Sequence, residues 1–324
     1  MEAWLLDPGR GSLGRVDCEI PRPGPQQLLV QVRAASLNRG EFLGVAAGPP
    51  RPCGIEAAGV VVACGASASS LAGFELATGT RVMGRAAGGF AEFAIIDAHD
   101  VLPVPAELGW EEAGAIPIAY LVAYDMLAGH GALGKGECML IAGASSGVGV
   151  ACLQMGKALG AFVIGTSGSA RKLERLVKAG LDTGICARGA EFEQAVRRHL
   201  EGRVVDLAIN NVGGSALAAC VAALRFEGRL AQVGFVDGVR TAVLDLEQLH
   251  AQRLHVFGVS NKLRSAAQRA ATVRGFVHDM LPHVRSGTLR PLIDQVFGFS
   301  DLPLAREAML ADRHLGKLVI RMDA

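Results

Sequence analysis

Residues 138–149 read CMLIAGASSGVG, a short apolar run that breaks without any linker into a turn of small residues. The run has the length of one buried strand, and the residues after the turn carry a helical apolar stripe of Val148, Ala151, Cys152, Met155 and Leu159. Gly160 ends that helix, and AFVIGT (161–166) supplies a second apolar strand. Strand, tight turn, helix and strand make a βαβ unit. This confines the region to a parallel sheet and leaves the helix's first N–H groups facing the turn. Such an end attracts an anion, so a dinucleotide pyrophosphate is the expected ligand.

Set on the pattern G-x-G-x-x-G, the turn reads Ala144, Ser145, Ser146, Gly147, Val148, Gly149. The last glycine, which lets helix and strand pack closely, is kept, and Ser146 is small enough to approach a phosphate and to donate its hydroxyl to it. Residues 145–149 are therefore the expected pyrophosphate contacts. Two other chemistries share these letters. GASSG (143–147) also matches G-x-S-x-G, which would make Ser145 the nucleophile of a serine hydrolase, but no HGG-type oxyanion loop precedes it. GASSGVG with Asn210-Asn211-Val212-Gly213 suggests a short-chain dehydrogenase. Those enzymes need a Tyr-x-x-x-Lys pair, and here Tyr120 and Tyr124 are followed four residues on by Tyr124 and Ala128.

The end of the second strand speaks to the nicotinamide. GTSGSARK (165–172) has no Asp or Glu where an NAD-type enzyme holds the ribose 2′-hydroxyl. Ser167, Ser169, Arg171 and Lys172 gather there instead, at the start of a helix, where cations are disfavoured unless an anion is bound. A 2′-phosphate fits, which makes NADPH the expected cofactor. The alternative is a solvated basic face continuing through Arg175 and Lys178.

Composition bounds the rest. The net charge of +1 gives no reason to expect nucleic acid or an acidic membrane surface, and only 5% of residues are aromatic. The longest apolar stretch, 113–128, is interrupted by Pro117 and Asp125, so no membrane span is expected. MEAWLLDPGRG has neither a basic start nor an apolar core, so no signal peptide is expected. The seven cysteines form no C-x-x-C pair, which suits reduced thiols packed in cores and a cytoplasmic protein.

At 324 residues the chain allows about two domains. Its first 110 or so residues are rich in Gly, Pro and alternating patterns such as QQLLVQVRA (26–34) and GIEAAGVVVACG (54–65), the marks of a β-rich domain. Candidate strands then alternate with helices at 138–142, 161–166, 183–186, 204–209, 229–235 and 254–259, as in a doubly wound α/β sheet. A single long helix is expected over 264–285, followed by strands near Val296 and at 317–321. These last elements need a home in the β-rich domain. The expected division is 1–115 with 260–324 as the β-rich domain and 116–259 as a dinucleotide-binding Rossmann domain.

This order of parts, with NVGG (211–214) and the terminal HLGKLVI (314–320), resembles the medium-chain dehydrogenase/reductase superfamily, and within it the zinc-independent quinone oxidoreductase-like branch. The resemblance runs from LLVQVRAASLN nearly to the C-terminus and implies a GroES-like catalytic domain. At the zinc-ligand positions of the alcohol dehydrogenases stand Asn38, Ile55 and Ile118, with Glu56 left alone, so no metal is expected. The implied activity is NADPH-dependent reduction of quinones or α,β-unsaturated carbonyls, the nicotinamide lying in the cleft between domains. An enoyl-thioester or 2-alkenal reductase is the alternative, with a serine hydrolase and a non-catalytic NADPH-binding protein behind it.

The resemblance also assigns roles. Asn38 would bond near the nicotinamide ribose or the substrate, or else merely form a turn. Lys172 would hold the 2′-phosphate, although the tyrosine that relatives add on the next strand is here Ala187. Asn211, Gly213 and Gly234 would flank the nicotinamide at strand ends, and Lys317 would reach the cofactor or be a surface charge. The loop 39–52 lacks the proton-donating tyrosine of enoyl reductases, leaving Tyr120 as donor or as packing, or solvent as the proton source. The strand in LHVFGVS, at the expected sheet edge, could pair with a second copy to give a homodimer.

Overall fold

The structure, a computed structural model, describes residues 1–9, 11–42, 48–188, 192–200 and 202–322. The chain divides into two compact units, Met1–Leu121 with Ser265–Ala324, and Val122–Arg264.

In the first unit, strand Gln27–Ser36 pairs antiparallel with Glu56–Cys64 and with Phe93–Pro103, and Arg81–Ala87 bridges those two. The four strands close on themselves, which removes their free edges. The C-terminal strand Lys317–Arg321 adds to the same sheet through Val319 opposite Ser36, and Ile293–Gly298 lies parallel to it. The late strands thus extend the sheet of the first unit. Two registers set up the site. Ala34 opposite Ala58 draws Glu56 towards Ser36, and Val319 opposite Ser36 draws Lys317 towards Asn38. The expected helix over 264–285 is instead two helices, Ala266–Asp279 and Leu281–Arg285. Pro282 lies in the first turn of the second, where its missing N–H costs nothing; inside a continuous helix it would remove a hydrogen bond.

The second unit is a six-stranded parallel sheet in the order Thr183–Cys186, Phe162–Ser167, Cys138–Ala142, Val205–Asn210, Leu224–Gln232, His255–Gly258. This is the doubly wound arrangement whose strand order reverses beside the first strand, where dinucleotides bind. All five residues of Cys138–Ala142 are buried, so that strand reads as a continuous apolar run rather than an alternation.

Candidate functional site

In the second unit, the turn after Cys138–Ala142 is built as its sequence suggests. Gly143 takes a left-handed φ of 76°, and the Ala144 N–H donates to the Thr166 carbonyl at 2.9 Å, tying the turn to the neighbouring strand end. Ser146 caps helix Gly147–Ala158: its Oγ accepts the Gly149 N–H at 3.0 Å and donates to the Gly143 carbonyl at 3.0 Å. The hydroxyl proton offered to a phosphate on sequence grounds is therefore committed within the turn, and Ser146 shapes the cradle through its cap. A Cβ on Gly149 would stand 2.6 Å from the Gly143 oxygen and 2.7 Å from the Ala144 carbonyl carbon, so only glycine permits this approach of helix to strand. The turn and the first helical residues, Gly147 and Val148, thus present backbone to whatever occupies the cradle, and the residues present fit a pyrophosphate.

Ser145 accepts a hydrogen bond from the Ser167 hydroxyl at 3.4 Å. Its backbone is not among the described non-glycine residues with positive φ, which are Ala132, Glu227, Arg253 and Asp312. The strained elbow and imidazole partner of a hydrolase nucleophile are thus not what Ser145 shows.

At the other strand ends, Asn211 is buried and donates from Nδ2 to the Ala142 carbonyl at 3.2 Å. Gly213 has a φ of 130°, with Asp237 Oδ1 only 2.0 Å from where a Cβ would be, and Gly234 lies against the Asn211 carbonyl. Asn210, read from the sequence only as part of a short-chain dehydrogenase pattern, organises this end. Fully buried, its Oδ1 accepts the Val212 and Gly213 N–H groups at 3.0 and 3.1 Å and its Nδ2 donates to Gln232 at 2.8 Å. A double asparagine closing an apolar strand was the available signal.

At the end of Phe162–Ser167, the Ser167 Oγ accepts the Ser169 N–H at 3.3 Å, and Ser169 caps helix Ala170–Lys178 by accepting the Lys172 N–H at 3.4 Å. The first turn of that helix holds no acid, and Arg171 and Lys172 stand in it.

In the first unit, the positions matched to zinc ligands surround one carboxylate. Glu56 is fully buried. Its Oε1 accepts from the Ser36 hydroxyl at 2.5 Å, Asn38 Nδ2 at 2.6 Å and Lys317 Nζ at 3.0 Å, and its Oε2 accepts the Ile118 N–H at 2.7 Å. Glu56 is therefore not alone. Lys317, 5% exposed, is no surface charge: its ammonium also donates to the Leu37 carbonyl at 3.1 Å and Asn38 Oδ1 at 2.9 Å, so its three hydrogens have three acceptors. Asn38 is more than a turn residue, since its amide joins anion to cation.

Glu41, which sequence reasoning missed, completes the group. Its carboxylate accepts the Asn38 N–H at 3.0 Å, Asn38 Nδ2 at 3.2 Å and the Gly54 N–H at 3.0 Å. Burial pushes its carboxyl up to about 8; the Asn38 hydrogen bond opposes this and the charge of Glu56 adds to it. The signal was Asn38-x-x-Glu41, the spacing of a capping box. Tyr120 is 1% exposed, which favours packing over proton donation. Residues 43–47 of the tyrosine-free loop lie outside the described residues.

Among the described residues no three His, Cys, Asp or Glu are grouped to hold a metal, and no helix is long and apolar enough to cross a membrane. All seven cysteines are free. Burial pushes the Cys53 and Cys220 thiols up to about 12, which suits packing rather than nucleophilic chemistry.

A closed β-unit and a parallel sheet with a glycine cradle define the architecture of a two-domain dehydrogenase. Residues 24–106 match the alcohol dehydrogenase GroES-like domain, and residues 147–273 match the zinc-binding dehydrogenase domain. The chain is 31% identical over 98% of its length to the spectinabilin polyketide synthase system protein NorB of Streptomyces orinoci, but spans only 14% of that relative's length. Among solved structures, a mycobacterial protein complexed with NADPH matches with TM-score 0.88 at 24% identity, and a mycobacterial quinone oxidoreductase with 0.85 at 23%, each over 99% of both chains. The CurK enoyl reductase matches with TM-score 0.82 at 21% identity, again over 99% of both. At these identities the structures show the fold. The chain belongs to the medium-chain dehydrogenase/reductase superfamily.

Proposed function

We propose that the chain is an NADPH-dependent, zinc-independent reductase of α,β-unsaturated carbonyl compounds. Quinones and simple enones fall within its chemistry, and enoyl thioesters are the class favoured by its likeness to a polyketide synthase protein and an enoyl reductase. The observation that carries the reading is the cluster around Glu56. At the three matched positions the side chains are an amide and two isoleucines, and Lys317, the one buried cation among the described residues, already neutralises Glu56. These residues offer no thiolate or imidazole to a metal and so no Lewis acid to stabilise an alkoxide. An acceptor whose conjugation already makes carbon electrophilic needs none.

When bound, NADPH supplies the hydride. The chain's residues hold it: the Ser146-capped helix start and Gly149 cradle the pyrophosphate, Ser167, Ser169, Arg171 and Lys172 receive the 2′-phosphate, and Asn211, Gly213 and Gly234 form the floor beside the nicotinamide. Within the first unit, the Glu56–Lys317 pair fixes the Asn38 side chain through both ends of its amide. With Tyr120 in the core, solvent is the proton source at the carbon next to the carbonyl.

A panel of quinones, enones and enoyl thioesters assayed for NADPH consumption tests this. With NADPH deuterated at its transferable position, one deuterium is expected at the carbon β to the carbonyl and a solvent hydrogen at the α carbon. Tyr120→Phe should lower kcat only modestly, since a general acid contributes roughly a hundredfold or more. Absence of turnover with every conjugated acceptor, together with Ser145-dependent ester hydrolysis, would replace the reading with that of a hydrolase.

A further inference from the structure

Gly168, between Ser167 and Ser169, is a glycine whose φ does not require one, because it is absent from the described glycines with positive φ. What requires it is Arg188. A Cβ built on Gly168 would stand 1.5 Å from Arg188 Nε, 2.3 Å from its Cδ and 2.5 Å from its Cγ. The arginine side chain therefore lies directly across the backbone of the Ser167–Ser169 turn, in space that any other residue at position 168 would fill. Its placement follows from the sheet: Thr183–Cys186 runs parallel to Phe162–Ser167 with Cys186 opposite Ser167, so both chains leave the sheet at the same end and Arg188 arrives two residues later.

From this we infer that Arg188 is a specificity-determining residue that closes the cofactor's 2′-phosphate pocket over the Ser167–Lys172 turn. The inference rests on the NADPH reading and deepens it. Arg171 and Lys172 already place two cations in the first turn of a helix, the end at which positive charge is disfavoured. Arg188 brings a third cation to the same turn. It is an exposed side chain, and no acid stands in that first helical turn. Three cations converging on two serine hydroxyls and a helix start suit a phosphate monoester dianion. A guanidinium can present its fork to two of the phosphate oxygens.

Dissociation constants for NADPH, NADH, 2′,5′-ADP and 5′-AMP, measured by calorimetry on the full chain, test the inference without turnover. Arg188→Ala should weaken NADPH and 2′,5′-ADP by about tenfold or more while leaving NADH and 5′-AMP nearly unchanged, as expected for loss of a charge-assisted contact. Arg188→Lys should fall between. Gly168→Ala, whose new methyl has three atoms of the movable Arg188 side chain as its nearest neighbours, should keep the melting temperature and yet weaken NADPH in the same direction. Adding it to Arg188→Ala should weaken NADPH no further. If the unaltered chain prefers NADPH but Arg188→Ala weakens NADPH and NADH equally, or neither, Arg188 is not the determinant and the cofactor reading stands. If the unaltered chain binds NADH as tightly as NADPH, both fall.

Discussion

Glu41 and Glu56 are two buried carboxyls served by one buried cation, Lys317, and that imbalance has a thermodynamic signature. The Glu41 carboxyl stands at about 8 in the folded chain against an ordinary 4.5, because burial and the charge of Glu56 favour its neutral form. Between those values the folded state holds a proton that the unfolded state has released. Stability should therefore fall as pH rises from about 4.5 to about 8, with a slope approaching roughly 1.4 kcal/mol per pH unit, and level off above. Glu41→Gln removes the titration and should flatten that slope in denaturant unfolding followed across this range; an unchanged slope would place the linkage elsewhere. Of this cluster only the Asn38-x-x-Glu41 spacing is legible from pattern alone. Lys317 meets Glu56 across 261 residues of sequence, and an isolated polar residue in an apolar strand looks the same whether it is exposed or paired. The ligand positions were legible because they are matched residue by residue, and their chemistry, an amide and two isoleucines, can be read from the letters.

At the scale of elements, the βαβ unit was the most legible part because its signals are local: an apolar run, a turn, a 3.6-residue stripe and a closing glycine act within about 30 residues. The break in the last helical segment was less so. Apolar periodicity runs across Met280, and only the penalty of an interior Pro282 divides it. The Arg188–Gly168 contact joins two strand ends whose adjacency depends on sheet order, so it could not be read before the sheet was known. The cradle itself makes a sharp prediction. A methyl at Gly149 would strike the Gly143 and Ala144 backbone, which the strand and the Ser146 cap hold in place, so the helix must shift rather than the neighbour yield. Gly149→Ala should lower stability by about 1–3 kcal/mol and weaken NADPH and NADH alike, unlike the selective loss expected at Arg188. Thermal unfolding and cofactor binding on the same sample separate the two: normal binding by a Gly149→Ala chain would mean that the close approach is not what holds the pyrophosphate.

For the whole molecule, the sheet of the second unit leaves one question of assembly. Its outer strand, His255–Gly258, is bonded on one side only, to Leu224–Gln232, and its residues are largely exposed, with Val256 at 40%. An open edge of this kind bears unpaired N–H and C=O groups and is a template for another strand unless charge, proline or a covering segment blunts it. Neither proline nor lysine lies within these four residues. Pairing with a second copy about a two-fold axis would join two six-stranded sheets edge to edge, the same patch serving on both partners. A homodimer through this strand is therefore proposed, and its length of four residues means that side chains flanking the ladder must contribute. Sedimentation of the full chain should give a dimer. Val256→Lys should convert it to a monomer that keeps its secondary structure, because the site is exposed in the single chain and loses nothing there. A monomeric unaltered chain, or a dimer indifferent to Val256→Lys, would rule this edge out as the interface.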